Sequence, residues 1–141
     1  MANGMQETWE RSFQDQIAQA AYNSAPVEAL VRTVSHYLRA RHAPERYRDL
    51  HFLEVGCGAG PNLVWLAQRG IMASGVDIAP TALELARRNL AAAAPADRIG
   101  RLEHASASAL PFPDSSFDGV LESCVFQHLP QADRGAAFAE V

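Results

Sequence analysis

Apolar positions in the first third of the chain recur with helical spacing. Residues 6–22 are predicted as a helix with Trp9, Phe13, Ile17 and Ala20 along one face, after a frayed end over residues 1–5. A second helix is predicted over 26–40, with Val27, Leu30, Val31, Val34 and Leu38 on one stripe. Short apolar runs then alternate with helical stretches. Residues 51–55 read as a strand and 61–69 as a helix stopped by Gly70. Residues 72–76 form a second strand that ends in Asp77, and Pro80 opens a helix over 80–93 whose Leu83, Ala86 and Leu90 share a face. Further strands are expected at 101–104 and 117–122, and a last helix begins at Pro130. Strands alternating with helices call for an α/β, doubly wound, Rossmann-like parallel sheet.

Residues 52–60 read FLEVGCGAG, an apolar run ending in Glu54 and followed by glycines at 56, 58 and 60. Small residues there let the backbone turn tightly and lie against a ligand. Pro61 and the apolar steps Leu63, Leu66 and Ala67 start the helix behind the turn. Strand, glycine turn and helix N-terminus together make a nucleotide-cofactor site. A dinucleotide-binding loop would place its third glycine at position 61, which is Pro61 here. Some twenty residues past the first glycine, Asp77 at the tip of the second strand can accept hydrogen bonds from both hydroxyls of a ribose. Ile78 beside it offers an apolar face to an adenine ring.

The spacing of an acidic residue before G-x-G-x-G resembles the first motif of the class I S-adenosylmethionine-dependent methyltransferases, in their small-molecule branch. The segment ASASALPFPDSSFDGVLE over 105–122 is similar to that family's stretch around its third and fourth strands, and CVFQHLP after it is similar to the exit of the fourth strand. The likeness spans roughly residues 50–141. It implies S-adenosyl-L-methionine as cofactor, with Glu54 holding its amino-acid end, Gly56, Cys57, Gly58 and Gly60 along the loop, and Asp77 and Ile78 at ribose and adenine. It also implies contacts from Ser106, Ala107 and Glu122. Many family members carry Asp where Ser106 stands, to receive the adenine amine; Ser106 accepts one hydrogen bond without charge assistance. No obligatory catalytic dyad is implied, because a sulfonium methyl needs mainly alignment with its acceptor.

Charge and composition narrow the partners. With 141 residues and a net charge of −4, the chain is a single domain at most and lacks the basic excess of a nucleic-acid binder. Arg39, Arg41, Arg46 and Arg48 cluster, but read as a solvated helix end and loop. No apolar run spans a bilayer and no signal peptide opens the chain, so a cytoplasmic protein is expected. Cys57 and Cys124 show no disulfide framework, and the five histidines no metal-ligand spacing.

Several residues have an ordinary reading beside the functional one. His128 is either a general base toward a small-molecule acceptor or a solvent-facing histidine. Cys57 packs in the turn more readily than it reacts, Asp77 can simply cap the next helix, and Glu54 can be a solvated strand end. Trp9, Phe13 and Tyr22 either cover the cofactor as a lid or pack their helix.

The family's sheet usually has seven strands in the order 3-2-1-4-5-7-6, and this chain supplies four. Residues 1–45 are expected to form a helical lid or cap, and 46–141 an incomplete cofactor-binding domain. The fourth strand reads as apolar on both sides through Val120, Leu121, Cys124 and Val125, so a truncated enzyme with an open edge, prone to homo-oligomerise, is the expectation. The alternatives are an NAD(P)-type oxidoreductase, or a non-catalytic cofactor-binding or interaction domain.

Overall fold

A computed structural model describes residues 2–141. Its elements are α1 (Ala2–Ala18), α2 (Glu28–Arg41), β1 (His51–Val55), α3 (Pro61–Gln68), β2 (Met72–Asp77), α4 (Pro80–Ala93), β3 (Ile99–His104), β4 (Gly119–Glu122) and α5 (Gln131–Glu140). The four strands form one sheet in the order β3-β2-β1-β4, and every neighbouring pair is parallel. This is the incomplete doubly wound sheet the sequence calls for. Val55 lies level with Val76 on one side and Glu122 on the other, and Asp77 lies level with His104. The carboxyl ends of all four strands therefore reach one rim.

β1 is buried on both faces because its side chains alternate between two cores. Phe52 joins Leu30, Val34 and Leu38 of α2 with Leu63 and Leu66 of α3. Leu53 and Val55 join Val76, Ala107, Phe126 and Leu129. α2 is thus part of the main core, although it lies before residue 46, and α1 instead packs against α4.

Boundaries moved where tertiary contacts intervene. α1 starts at Ala2, so residues 2–5 are helical where a frayed end was expected, while Met1 lies outside the described residues. It stops at Ala18, not 22, because Ala20 takes a left-handed φ of 52° and the amides of residues 19–21 fold back on the last carbonyls. Ala20 is accordingly exposed instead of on the apolar face. α2 starts at Glu28, two residues later than expected, with Val27 as its N-cap. The arginine-rich connection contains a 3-10 helix, Pro44–Asp49, in which Arg46 pairs with Asp49 and Arg48 with Asp97. β3 begins two residues early, at Ile99. β4 begins two residues late, because Asp118 turns to accept the His51 N–H through its side chain at 2.8 Å. β4 borders only β1 among the described strands, and its exposure alternates: Val120 is 36% exposed and Leu121 half-buried. The apolar surface expected at an open edge is present at Val120, while Leu121 on the other face packs against the main core.

Candidate functional site

The glycine loop closes the rim between β1 and β2. Gly56 has φ +70° and Gly58 +54°, values that L side chains rarely adopt. A Cβ on Gly56 would come within 2.1 Å of Val125 Cγ2, and one on Gly58 within 3.3 Å of Phe13 Cζ. Both amides of residues 56 and 57 donate to the Val76 carbonyl, at 2.8 and 3.0 Å. Gly60, at φ +79°, leads into Pro61 at the start of α3 and packs against Ala86 of α4.

Asp77 ties this loop to the next helix. One carboxylate oxygen accepts the Gly58 N–H at 2.8 Å and the other accepts the Ala79 N–H at 2.9 Å. The residue is 7% exposed, and burial raises its pKa despite those bonds. The capping role is therefore present, and each oxygen retains a lone pair for a further donor.

A cavity of about 250 Å³ opens above the loop. Gly56, Gly58, Asp77 and Ile78 form its floor, and Ser106 and Ala107 line one side. Ser106 Oγ is paired with Ser108 Oγ at 2.9 Å. Met5, Trp9 and Phe13 of α1 cover the cavity, and Ser123, Cys124, Val125, His128 and Leu129 close the far side. His128 meets Trp9 edge to face with ring centroids 5.4 Å apart, and its Nε2 lies 3.3 Å from Gln127 Nε2. α1 is pinned in place by Glu10, whose carboxylate accepts the Thr81 N–H at 3.0 Å and the Thr81 hydroxyl. That supplies α4 with a cap that Ala79, its own N-cap residue, cannot provide.

Four of the residues read from the sequence lie outside the cavity lining. The Cys57 thiol is turned into the core against Gly75, and burial followed by the charges of Asp77 and Glu54 pushes it well above its ordinary pKa. Gly60 packs on α4 as described. Glu122 accepts the Val125 N–H and, at 2.8 Å, the Phe126 N–H, so it shapes the segment that carries His128. Arg134 holds the other end of that segment through the carbonyls of Gln127 and Leu129, both at 3.1 Å. Glu54 is 2% exposed, so the solvated alternative is excluded; burial, opposed by an Asn62 hydrogen bond and helped by Asp77, raises its pKa to about 8. Tyr22 is not part of the cover. Met5, Ser123, Cys124, Val125 and Leu129 were not legible as site residues, because they come from a helix end and from an irregular turn in which Cys124 takes a φ of +62°.

Among the described residues, no cluster of three or more His, Cys, Asp or Glu is placed to hold a metal ion, and no helix is long and apolar enough to cross a membrane.

Residues 52–141 match the family model described as a methyltransferase domain. A protein of Haemophilus influenzae is 35% identical over 94 residues, covering 66% of this chain and 37% of that one. A sterol 4-C-methyltransferase of Caenorhabditis elegans is 30% identical over 90 residues, covering 64% of this chain and 27% of that one. The chain thus spans about a third of the length of the curated relatives it matches. Among solved structures, magnesium protoporphyrin IX methyltransferase of Synechocystis, with bound SAM, shares the fold with a TM-score of 0.75 at 18% identity, over 98% of this chain and 68% of that one. The family match sets aside the oxidoreductase alternative, in agreement with Pro61 at the position of a third glycine. By its sheet order, its glycine loop and these likenesses, the chain belongs to the methyltransferase domain family, in the class I, S-adenosylmethionine-dependent group.

Proposed function

We propose that this chain carries the cofactor site of an enzyme that transfers a methyl group from S-adenosyl-L-methionine to a small, largely apolar acceptor. The observation that carries the reading is the single cavity joining the Gly56–Gly58 loop, Asp77 with Ile78, and Ser106 with Ala107 at the carboxyl ends of adjacent strands. The residues fit the cofactor. The loop is bare of side chains on the cavity floor, Asp77 has free lone pairs beside the loop for ribose hydroxyls, and Ile78 gives adenine an apolar surface. Ser106 and Ala107 flank the adenine, and Glu54 faces the amino-acid end, directly or through water. Cys57, Gly60 and Glu122 act on the cofactor through the backbone they shape. When bound, S-adenosylmethionine supplies an electrophilic methyl group. What the chain contributes is alignment and exclusion of water.

The acceptor side is formed by Met5, Trp9, Val125 and Leu129, and no arginine lines the cavity. An uncharged acceptor suits those walls, and the sterol named for the Caenorhabditis elegans relative is of that kind. His128 is the one imidazole on this side and would take the proton from an acceptor hydroxyl. Within residues 1–45, α1 serves as the lid, since Glu10, Trp9 and Phe13 hold it over the cavity. A cytoplasmic location suits the free thiols of Cys57 and Cys124, and the net charge of −4 suits a protein without a nucleic-acid partner. The free edge of β4 is the surface through which copies would pair.

Calorimetry with S-adenosylhomocysteine, and with NAD as control, tests the cofactor; a labelled-methyl assay over phenolic and carboxylated acceptors tests the class. Binding of NAD alone, or transfer only to charged acceptors, would overturn the corresponding half of the proposal.

A further inference from the structure

Asn62, the second residue of α3, is 3% exposed although its side chain is a polar amide. Its Oδ1 accepts the Val27 N–H at 2.8 Å, and its Nδ2 donates to Glu54 Oε1 at 2.6 Å. Val27 is the N-cap of α2 and cannot cap that helix with its own side chain. One amide therefore ties the start of α2 to a carboxylate on β1, next to the glycine loop. The Val27 N–H fixes the amide's direction, because the reversed amide would set NH₂ against that donor. The amide also fixes Glu54, whose second oxygen, Oε2, is buried and has no partner.

The charges around Glu54 are one-sided. Asp77 faces it from β2 and Cys57 from the loop. α3 contains no charged residue, and Glu28 at the start of α2 is exposed. Two buried carboxyl groups thus flank the loop, one of them with a spare oxygen, in a place that a cationic ligand group would complete.

We infer that Asn62 is a positioning residue for cofactor binding, holding Glu54 so that Oε2 receives the ammonium group of the cofactor's amino-acid end and coupling that carboxylate to the seating of α2. The inference rests on the methyltransferase reading given above. Burial keeps Glu54 protonated up to about pH 8, with Asp77 adding to the effect. An arriving ammonium stabilises the ionised form, so Glu54 gives up its proton to the buffer and an ammonium–carboxylate pair forms. Binding near neutral pH then releases a proton, and affinity rises with pH toward 8.

Calorimetry with S-adenosylhomocysteine in two buffers of different ionisation enthalpy, across a pH series, measures affinity and proton release together. Asn62→Leu is expected to weaken binding about tenfold, the size of one lost hydrogen bond to a charged group, and to move the inflection to higher pH. Glu54→Gln should abolish the proton release, and adding Asn62→Leu to it should cost little more. Val27→Pro provides a variant that leaves the Asn62 and Glu54 side chains intact: Val27 has φ −69°, which proline adopts, and the change removes the N–H that Asn62 accepts, while Val27→Ala serves as the control for the lost packing of Val27 against the core. Val27→Pro should weaken binding severalfold with the same upward shift of the inflection. Thermal melts establish that each variant is folded. Wild-type-like affinity and inflection in both Asn62→Leu and Val27→Pro would overturn the inference and leave the cofactor reading standing. Absence of binding by the wild-type chain would overturn the cofactor reading, and this inference with it.

Discussion

Removing the Asp77 carboxylate separates its structural role from the role proposed for it toward the cofactor. Its oxygens accept the Gly58 and Ala79 amides at 2.8 and 2.9 Å. Asp77→Ala leaves both donors without an acceptor in a largely buried place, at about 1–3 kcal/mol each. Deleting a buried carboxylate whose pKa is raised by burial also removes a desolvation cost, which offsets part of that loss. The net destabilisation is therefore expected at about 1–3 kcal/mol, below the sum of the two bonds. Asp77→Asn retains one acceptor oxygen but turns an NH₂ toward the other amide, and should fall between wild type and alanine. Losing the ribose acceptor should weaken S-adenosylhomocysteine by a further ~1–3 kcal/mol, or about 5- to 150-fold in Kd. Urea unfolding reads the first effect, and calorimetry on folded protein reads the second. An unfolding midpoint equal to wild type would mean that the two bonds do not hold the loop. Unchanged affinity in a folded Asp77→Ala protein would mean that the carboxylate does not meet the ribose.

Glu54 gives the chain a pH dependence of stability. Burial raises it from 4.5 to about 8 in the folded state, so its contribution favours folding at low pH and is lost as pH rises between those values. Between about pH 5 and pH 8.5, wild type should lose ~2–5 kcal/mol relative to Glu54→Gln in urea unfolding, and parallel curves would refute the buried acid. Gly56→Ala should destabilise through its φ of +70° and its overlap with Val125. Adding Val125→Ala should recover the overlap but not the backbone cost of about 1–2 kcal/mol, as thermal unfolding can measure. Glu10→Ala removes the cap on α4, at about 0.5–2 kcal/mol, and should unfasten α1. Hydrogen exchange should then speed up across α1 while β1 stays protected, and unchanged protection in α1 would show that Glu10 is not what holds it.

The strands and helices that build the cavity floor were legible because local signals agree there. β1 and α4 have the bounds expected from the pattern, since an apolar run against a glycine turn and a Pro-started amphipathic stretch leave few alternatives. The positions of Gly56, Gly58 and Asp77 follow from spacing, because a tight turn and a neighbouring strand end are set by chain connectivity, whereas a role for Glu54 came from the family resemblance, and its side chain lies outside the cavity lining. The edges of α1 and β4 were less legible. Ala20 adopts a left-handed conformation without any glycine to announce it, and Asp118 trades a place in β4 for a bond to His51.

By itself, then, the sequence determined the fold class, the order of the elements and the residues of the glycine loop with Asp77, because these depend on periodicity and on short-range stereochemistry. Only the tertiary structure decided what stands around them. Glu10 reaches a helix 71 residues away, Asn62 bridges 35 residues to Val27, and Val125 fills the space that makes a side chain at Gly56 intolerable. The burial that raises Glu54, the turn of the Cys57 thiol into the core and the cover of Met5, Trp9 and Phe13 likewise arise from long-range packing. A side chain's neighbours, and with them its charge state and its access to ligand, are set by contacts that no local pattern encodes.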